Sequence, residues 1–163
     1  MQRKLEIKKS LCVGPNVMDG NIVKTIVTLF RQKYEKICDE SDGFILSIDG
    51  IKDLTNIISK DSCHINFTAT LDVTTIKPQK GDKIEFKPSL VMQKGIFGKM
   101  YDSISLFIPE DYIKEKGWVY NKENDVYENQ KNDKIKKDST IKAVISDIKF
   151  VNSTKYNCIC RLE

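Results

Sequence analysis

Apolar and polar residues alternate along most of this chain, and at one place the alternation gives way to a helical period. Leu5, Ile7, Leu11 and Val13 share one side of the first stretch, with Glu6, Lys8, Ser10 and Cys12 on the other. That period of two predicts a half-buried strand. GPNVMDGN breaks it with Gly, Pro and Asn. Val23, Val27, Phe30, Tyr34 and Ile37 then recur at spacings of three and four, the stripe of an amphipathic helix. Asp19 or Asn21 is placed to cap its start, and DESDG ends it. This stripe packs against the protein's own sheet.

GFILSI, 43–48, reads as a short apolar strand, and DGIKDLTNIISKDS, 49–62, as a polar loop with apolar anchors. A long alternating strand follows, with Ile65, Phe67, Ala69, Leu71 and Val73 on its inner side. KPQKGD punctuates the chain there. Residues 1–80 therefore predict one helix on a small antiparallel sheet, an α+β unit.

Beyond Lys80 no long helical period appears. Ile84, Phe86, Leu90 and Met92 alternate around Pro88. Ile96 and Phe97 follow Gly95, and Ile104, Leu106 and Ile108 alternate with Ser103, Ser105 and Phe107. PEDYIKEKGWVY reads as a turn or a single helical turn, and 121–137 as a long exposed loop. Ile141, Ala143 and Ile145, then Tyr156, Cys158, Cys160 and Leu162, complete about five strands. Residues 81–163 thus predict an all-β barrel of OB type.

Composition narrows the class. The 163 residues carry 31 % charged and 40 % hydrophobic side chains. No run reaches the ~18 apolar residues of a membrane span, so no membrane partner is expected. The basic N-terminus has no apolar stretch behind it, so no secretory signal is read. The net charge of +4 is shared evenly between the two halves, so neither is a polycationic module. Five cysteines without a signal fit reduced thiols in an intracellular compartment. Cys158 and Cys160 lack a second Cys or His pair at zinc spacing and read as inward packing positions.

No catalytic set emerges, and no metal or cofactor is expected. His64, the one histidine, lies on the polar side of its strand without a ligand-like neighbour. The acidic pairs at 39–40 and 110–111 flank turns, as capping charges do. The stretch from Ser89 to Tyr101 holds no acidic residue. Lys87, Lys94, Phe97, Lys99 and Tyr101 are therefore candidates for an RNA face, where aromatics stack on bases and lysines meet phosphates. Two other readings stand beside it. Phe97 fills the barrel, or the surface binds protein.

The order of motifs is familiar. Gly14-Pro15-Asn16 precedes the helix and Gly43-Phe44 opens the second strand. Pro78 with Gly81-Asp82 marks a junction. Gly95-Ile96-Phe97 and Ile108-Pro109 lie in the barrel. In this order the chain resembles the stalk subunit of multisubunit DNA-directed RNA polymerases, the seventh subunit of RNA polymerase II and its archaeal and viral counterparts. The resemblance implies a truncated ribonucleoprotein-like domain followed by an OB-fold. It implies docking on the polymerase core subunits through the first domain, pairing with a small helical stalk partner, and contact of the barrel with nascent RNA. The subunit would be non-catalytic and would support transcription initiation, in the nucleus, or in the cytoplasm or virion for a viral member. Mapped onto this sequence, the docking candidates are Gly14, Pro15 and Asn16, with Asp49, Gly50, Ile51 and Leu54 from the 49–62 segment. The alternative is a free-standing OB-fold RNA-binding protein of translation or RNA decay.

Overall fold

A computed structural model describes the chain except for residues 18–19, 60–62, 102 and 152–154. The protein is mostly β with few helices, and it divides into two compact units, Gln2–Lys77 and Pro78–Glu163.

In the first unit, β1 (Gln2–Val13) leads through a 3-10 turn (Pro15–Val17) to helix α1 (Ile22–Tyr34), then β2 (Cys38–Asp39), β3 (Gly43–Ile58) and β4 (Ile65–Ile76). The sheet order is β1-β4-β3-β2, antiparallel throughout. The alternation explains the pairing: Ile7, Leu11 and Val13 of β1 share a buried face with Phe67, Ala69, Leu71 and Val73 of β4, and α1 covers it. Asn21 caps the helix, its side chain accepting from the Lys24 amide at 3.4 Å. The other capping candidate, Asp19, lies outside the described residues.

Two expectations need correction here. The helix buries Ile26 and Phe30, whereas Val23 is 64 % exposed and Ile37 lies beyond the helix end, 45 % exposed. The helix is thus rotated from the stripe read in the sequence, and Ile26 replaces Val23 at its centre. The segment from Asp49 to Ile58 is no loop. It continues β3, paired with β4 as far as Ile58↔Ile65. Its register shifts between Ile45 and Ser47, Ile48 and Gly50, and Lys52 and Thr55. Each irregularity resets the period of two, which hides one long strand inside a seemingly irregular sequence.

In the second unit, β5 (Lys83–Phe86), β6 (Pro88–Met92), β7 (Gly95–Met100) and β8 (Ile104–Pro109) precede the short helix α2 (Glu110–Lys114). A small sheet follows, β9 (Val119–Asn121), β10 (Val126–Glu128) and β11 (Lys134–Ile135), then β12 (Ile141–Val151) and β13 (Lys155–Leu162). The main sheet runs β5-β12-β13-β8-β7-β6. β5 and β6, separated by Lys87 alone, stand at its opposite ends. One interrupted strand therefore feeds both edges, which requires the sheet to curl. Every pair is antiparallel except β8 with β13. A curled Greek-key sheet of this order is OB-like. Inside it lie Ile96, Leu106, Ile145, Cys158 and Cys160, each no more than 1 % exposed, together with Ile113 from α2.

The exposed loop expected over 121–137 is instead the core of the small sheet. Tyr127 is fully buried, and Val126 and Ile135 are buried beside it. The Tyr127 hydroxyl donates to the carbonyls of Met92 (3.0 Å) and Gln93 (2.9 Å), which ties the insertion to the β6–β7 turn. Few apolar positions separated by polar ones are enough here, because one tyrosine carries most of the burial.

Candidate nucleic-acid interface

Burial alternates along β8 and β13 and, from Ile96 to Lys99, along β7. Ile96 and Gly98, Leu106 and Ile108, and Cys158 and Cys160 point inward. Phe97 and Lys99, Ser105 and Phe107, and Asn157 and Ile159 point outward, so Phe97 faces the surface of the barrel.

Register then assembles two rows across the strands. Leu90 stands opposite Phe97, Phe97 opposite Phe107, and Phe107 beside Ile159. Leu90 is 48 % exposed and Ile159 38 %, which makes this row apolar yet open to solvent. The Phe97 and Phe107 rings stack with centroids 4.4 Å apart and planes inclined by 27°. The neighbouring row is polar: Lys99 opposite Ser105, Ser105 beside Asn157, and Asn157 opposite Lys149. Neither Lys99 nor Lys149 forms an ion pair among the described residues. Asp147, across from Ile159, is held by Lys80 at 2.6 Å, and this contact keeps its carboxyl below the usual range. Between the rows lies an open groove of about 440 Å³, lined by Ser89, Phe97, Lys99, Phe107, Asn157 and Ile159 among others.

Gly95 is needed to set this surface. A Cβ there would lie 2.3 Å from the Ile108 carbonyl oxygen and 2.7 Å from Cε2 of Phe107, and its φ is +145°. Only glycine lets the Phe107 ring lie over the start of β7.

Of the residues expected on an RNA face, the groove brings together Phe97 and Lys99. Lys87 sits between β5 and β6, and Tyr101 occupies the β7–β8 turn at φ +56°. Lys94, in the β6–β7 turn, lines a separate depression with Met92, Gln93 and Glu110. None of these three lines the groove. Phe107, Leu90, Ile159, Asn157 and Lys149 were missed. The signal for Phe107 was present, since it alternates in phase with the outward serines Ser103 and Ser105.

The docking candidates separate in a similar way. The Gly14–Asn16 turn follows β1, with the Val17 amide donating to the Gly14 carbonyl at 3.3 Å. A Cβ on Gly14 would lie 3.9 Å from Nε2 of His64, so this turn sits beside the end of the β3–β4 arm. Asp49 lies within β3 and accepts from Thr74 (2.6 Å) and Ser47 (2.8 Å), bonds that hold its carboxyl below the usual range. Gly50 packs closely on Asp72, and Ile51 and Leu54 pack against their own core. The apolar side chains that the arm does present are Ile57 and Ile58, 72 % and 65 % exposed. They pair towards Cys12 and Val13 through β4, at the same end as the Gly14 turn. The final residues of the 49–62 segment, 60–62, lie outside the described residues.

Burial pushes the thiols of Cys158 and Cys160 up to about 12, as fits packing positions.

No protein-family model matches the sequence, and no curated protein matches it. Among solved structures, the apo form of RNase R from Mycoplasma genitalium is similar to this chain at 24 % identity and a TM-score of 0.42. The match covers 52 % of this chain and 13 % of that one. The OB-like character of the second unit follows from its strand order, independently of this likeness.

Proposed function

We propose that the protein is a non-catalytic RNA-binding subunit, whose OB-like unit holds single-stranded RNA without sequence preference on the outer face of β7, β8 and β13. The observation that carries this reading is the stacked, part-exposed Phe97–Phe107 pair beside the polar row that ends in Lys99 and Lys149. Bases stack on aromatic faces regardless of identity, and lysines follow the phosphates. The alternative use of such a surface is to bind protein.

The motif order supports placing this subunit in the stalk of a multisubunit DNA-directed RNA polymerase. In that setting the first unit docks on the core through the Gly14–Asn16 turn and the arm end, and a small helical partner completes the stalk. A helix on a four-stranded antiparallel sheet, followed by an OB-like barrel, is the arrangement that reading requires. The modest net charge of +4 also favours a subunit held in a complex over a free protein that must bind RNA by charge alone.

Two measurements test the reading. Native affinity purification is expected to recover polymerase subunits with this chain, and recovery without them would return the protein to a free-standing RNA-binding role. The double variant Phe97→Ala, Lys99→Glu is expected to lose RNA affinity while remaining folded, with a smaller loss of stability than a core Phe→Ala change. Unchanged affinity would show that the face serves another ligand.

A further inference from the structure

We infer that Arg161 and Tyr112 form an additional base-stacking position at the α2 end of the groove, extending the RNA path beyond Phe107. This rests on the RNA-face reading above.

Along β13 the outward residues are Asn157, Ile159 and Arg161. The first two line the groove, and Arg161 comes about 7 Å further along the strand. β8 runs parallel to β13 and ends at Pro109, where α2 begins. Tyr112 thus stands just past the end of β8, and its ring meets Arg161. The guanidinium carbon lies 4.3 Å from the Tyr112 ring centroid, and Nη2 donates to the Tyr112 hydroxyl at 3.2 Å. Ile159 belongs to the groove lining and Arg161 is the next outward residue on the same strand, so the pair neighbours the groove on one face of the sheet.

The Arg161 guanidinium meets the Tyr112 ring on one side, and the residue is otherwise exposed. It is planar, weakly hydrated and charged, and it accepts a nucleobase as readily as an aromatic ring does. Ordering it on Tyr112 beforehand removes part of the side-chain entropy that a free arginine loses on binding. Its acidic neighbour is Glu115, which acts on it through space without forming an ion pair among the described residues. The competing role is a clamp that only fastens α2 to β13.

Oligouridines of increasing length, titrated into the full chain by fluorescence anisotropy, separate these roles. Arg161→Ala is expected to leave the shortest bound oligomer unaffected and to weaken longer ones by about five- to tenfold. Arg161→Lys keeps the charge but not the plane, and should show most of the same loss. Tyr112→Phe keeps the ring and should retain most of the affinity. If Arg161→Ala binds every length like the wild type while Phe97→Ala is impaired, the residue is a clamp and the inference fails, although the groove reading survives. Full rescue by Arg161→Lys would also overturn it, in favour of a simple phosphate contact. If the wild type binds no RNA, the groove reading fails and this one falls with it.

Discussion

The ring of Phe97 lies 4.4 Å, centroid to centroid, from that of Phe107 on the next strand, both on the outer face of the barrel. A cross-strand aromatic pair contributes on the order of 0.5–1.5 kcal/mol beyond its buried area. It can therefore be held in place while leaving ring surface to solvent. That combination of fixed position and residual exposure suits a stacking platform better than a core.

Replacing either ring separates stability from binding. Phe97→Ala is expected to lower RNA affinity by a factor on the order of ten, since stacking contributes ~1–3 kcal/mol per base. The loss of folding stability should be smaller than the ~3–5 kcal/mol of a core Phe→Ala change, because the ring is only partly buried. Anisotropy titration beside urea unfolding gives both quantities. A large stability loss with unchanged affinity would make the pair structural.

Gly95→Ala tests how the platform is set. The new methyl meets the Ile108 carbonyl at 2.3 Å and the Phe107 ring at 2.7 Å, at a φ of +145°. The strained backbone alone costs on the order of 1–3 kcal/mol. The expected result is a lowered urea midpoint and, in the fraction that folds, a weaker RNA complex with a displaced Phe107. A variant as stable as the wild type would show that β7 can re-route.

Tyr127 fastens an insertion that looked like a loop. Tyr127→Phe removes only the hydroxyl that donates to Met92 and Gln93, and should cost about 0.5–1.5 kcal/mol. Tyr127→Ala also empties the centre of the small sheet and should cost several times more, on the order of 3–5 kcal/mol by analogy with Phe→Ala. Hydrogen exchange at 119–135 should rise towards that of an unprotected loop in the alanine variant and stay low in the phenylalanine one.

How far the sequence could be read depended on whether an element buries one side of a regular period. β1, β4, β8 and β13 do, and their inner residues follow from alternation, except that Leu5 near the start of β1 is 37 % exposed. α1 was found but turned, because Val23 and Ile26 are both apolar and only packing decides that Ile26 goes inside. β3 is legible only from Gly43 to Ile48, because its register shifts three times and no single phase spans the whole strand. The same holds for the candidate site. Phe97 and Lys99 stand two residues apart on one strand and are visible locally. Leu90, Phe107, Ile159 and Lys149 join them only through strand register, which links positions as far apart as Phe107 and Ile159.

Thiol reactivity reports the packing of both units. Cys12 and Cys63 are exposed, while Cys38, Cys158 and Cys160 are buried. In the native protein a disulfide reagent at neutral pH should label two thiols quickly, and all five only in denaturant. Burial raises Cys38 to about 11, with a smaller push from Asp39, and Cys158 and Cys160 to about 12, from an ordinary 9.0. It also raises Tyr127 to about 12 from 10.0. Each of these groups is held in its neutral form by the fold. Between pH 9 and about 12 the unfolded chain therefore carries fewer protons than the native one, and stability falls as pH rises. Chemical unfolding across that window should show a midpoint that is flat below pH 9 and declines above it. Cys158→Ala with Cys160→Ala should flatten the decline while lowering the starting value.

The arm end offers the sharpest test of docking. Ile57 and Ile58 are 72 % and 65 % exposed, beside the Gly14–Asn16 turn. Two adjacent isoleucines in the open give little to the stability of the unit that carries them. Hydrophobic side chains of this size gain ~1.5–3 kcal/mol each when fully buried, a gain still available at an interface. Ile57→Asp with Ile58→Asp should therefore leave the melting temperature nearly unchanged and strongly reduce recovery of polymerase subunits by affinity purification. Asp49→Ala makes the contrasting control. Its carboxylate is engaged by Thr74 and Ser47 within the sheet, so its loss should alter stability modestly and recovery little. If recovery follows Asp49 and ignores the isoleucines, the docking surface lies on the open face of the sheet and not at the end of the arm.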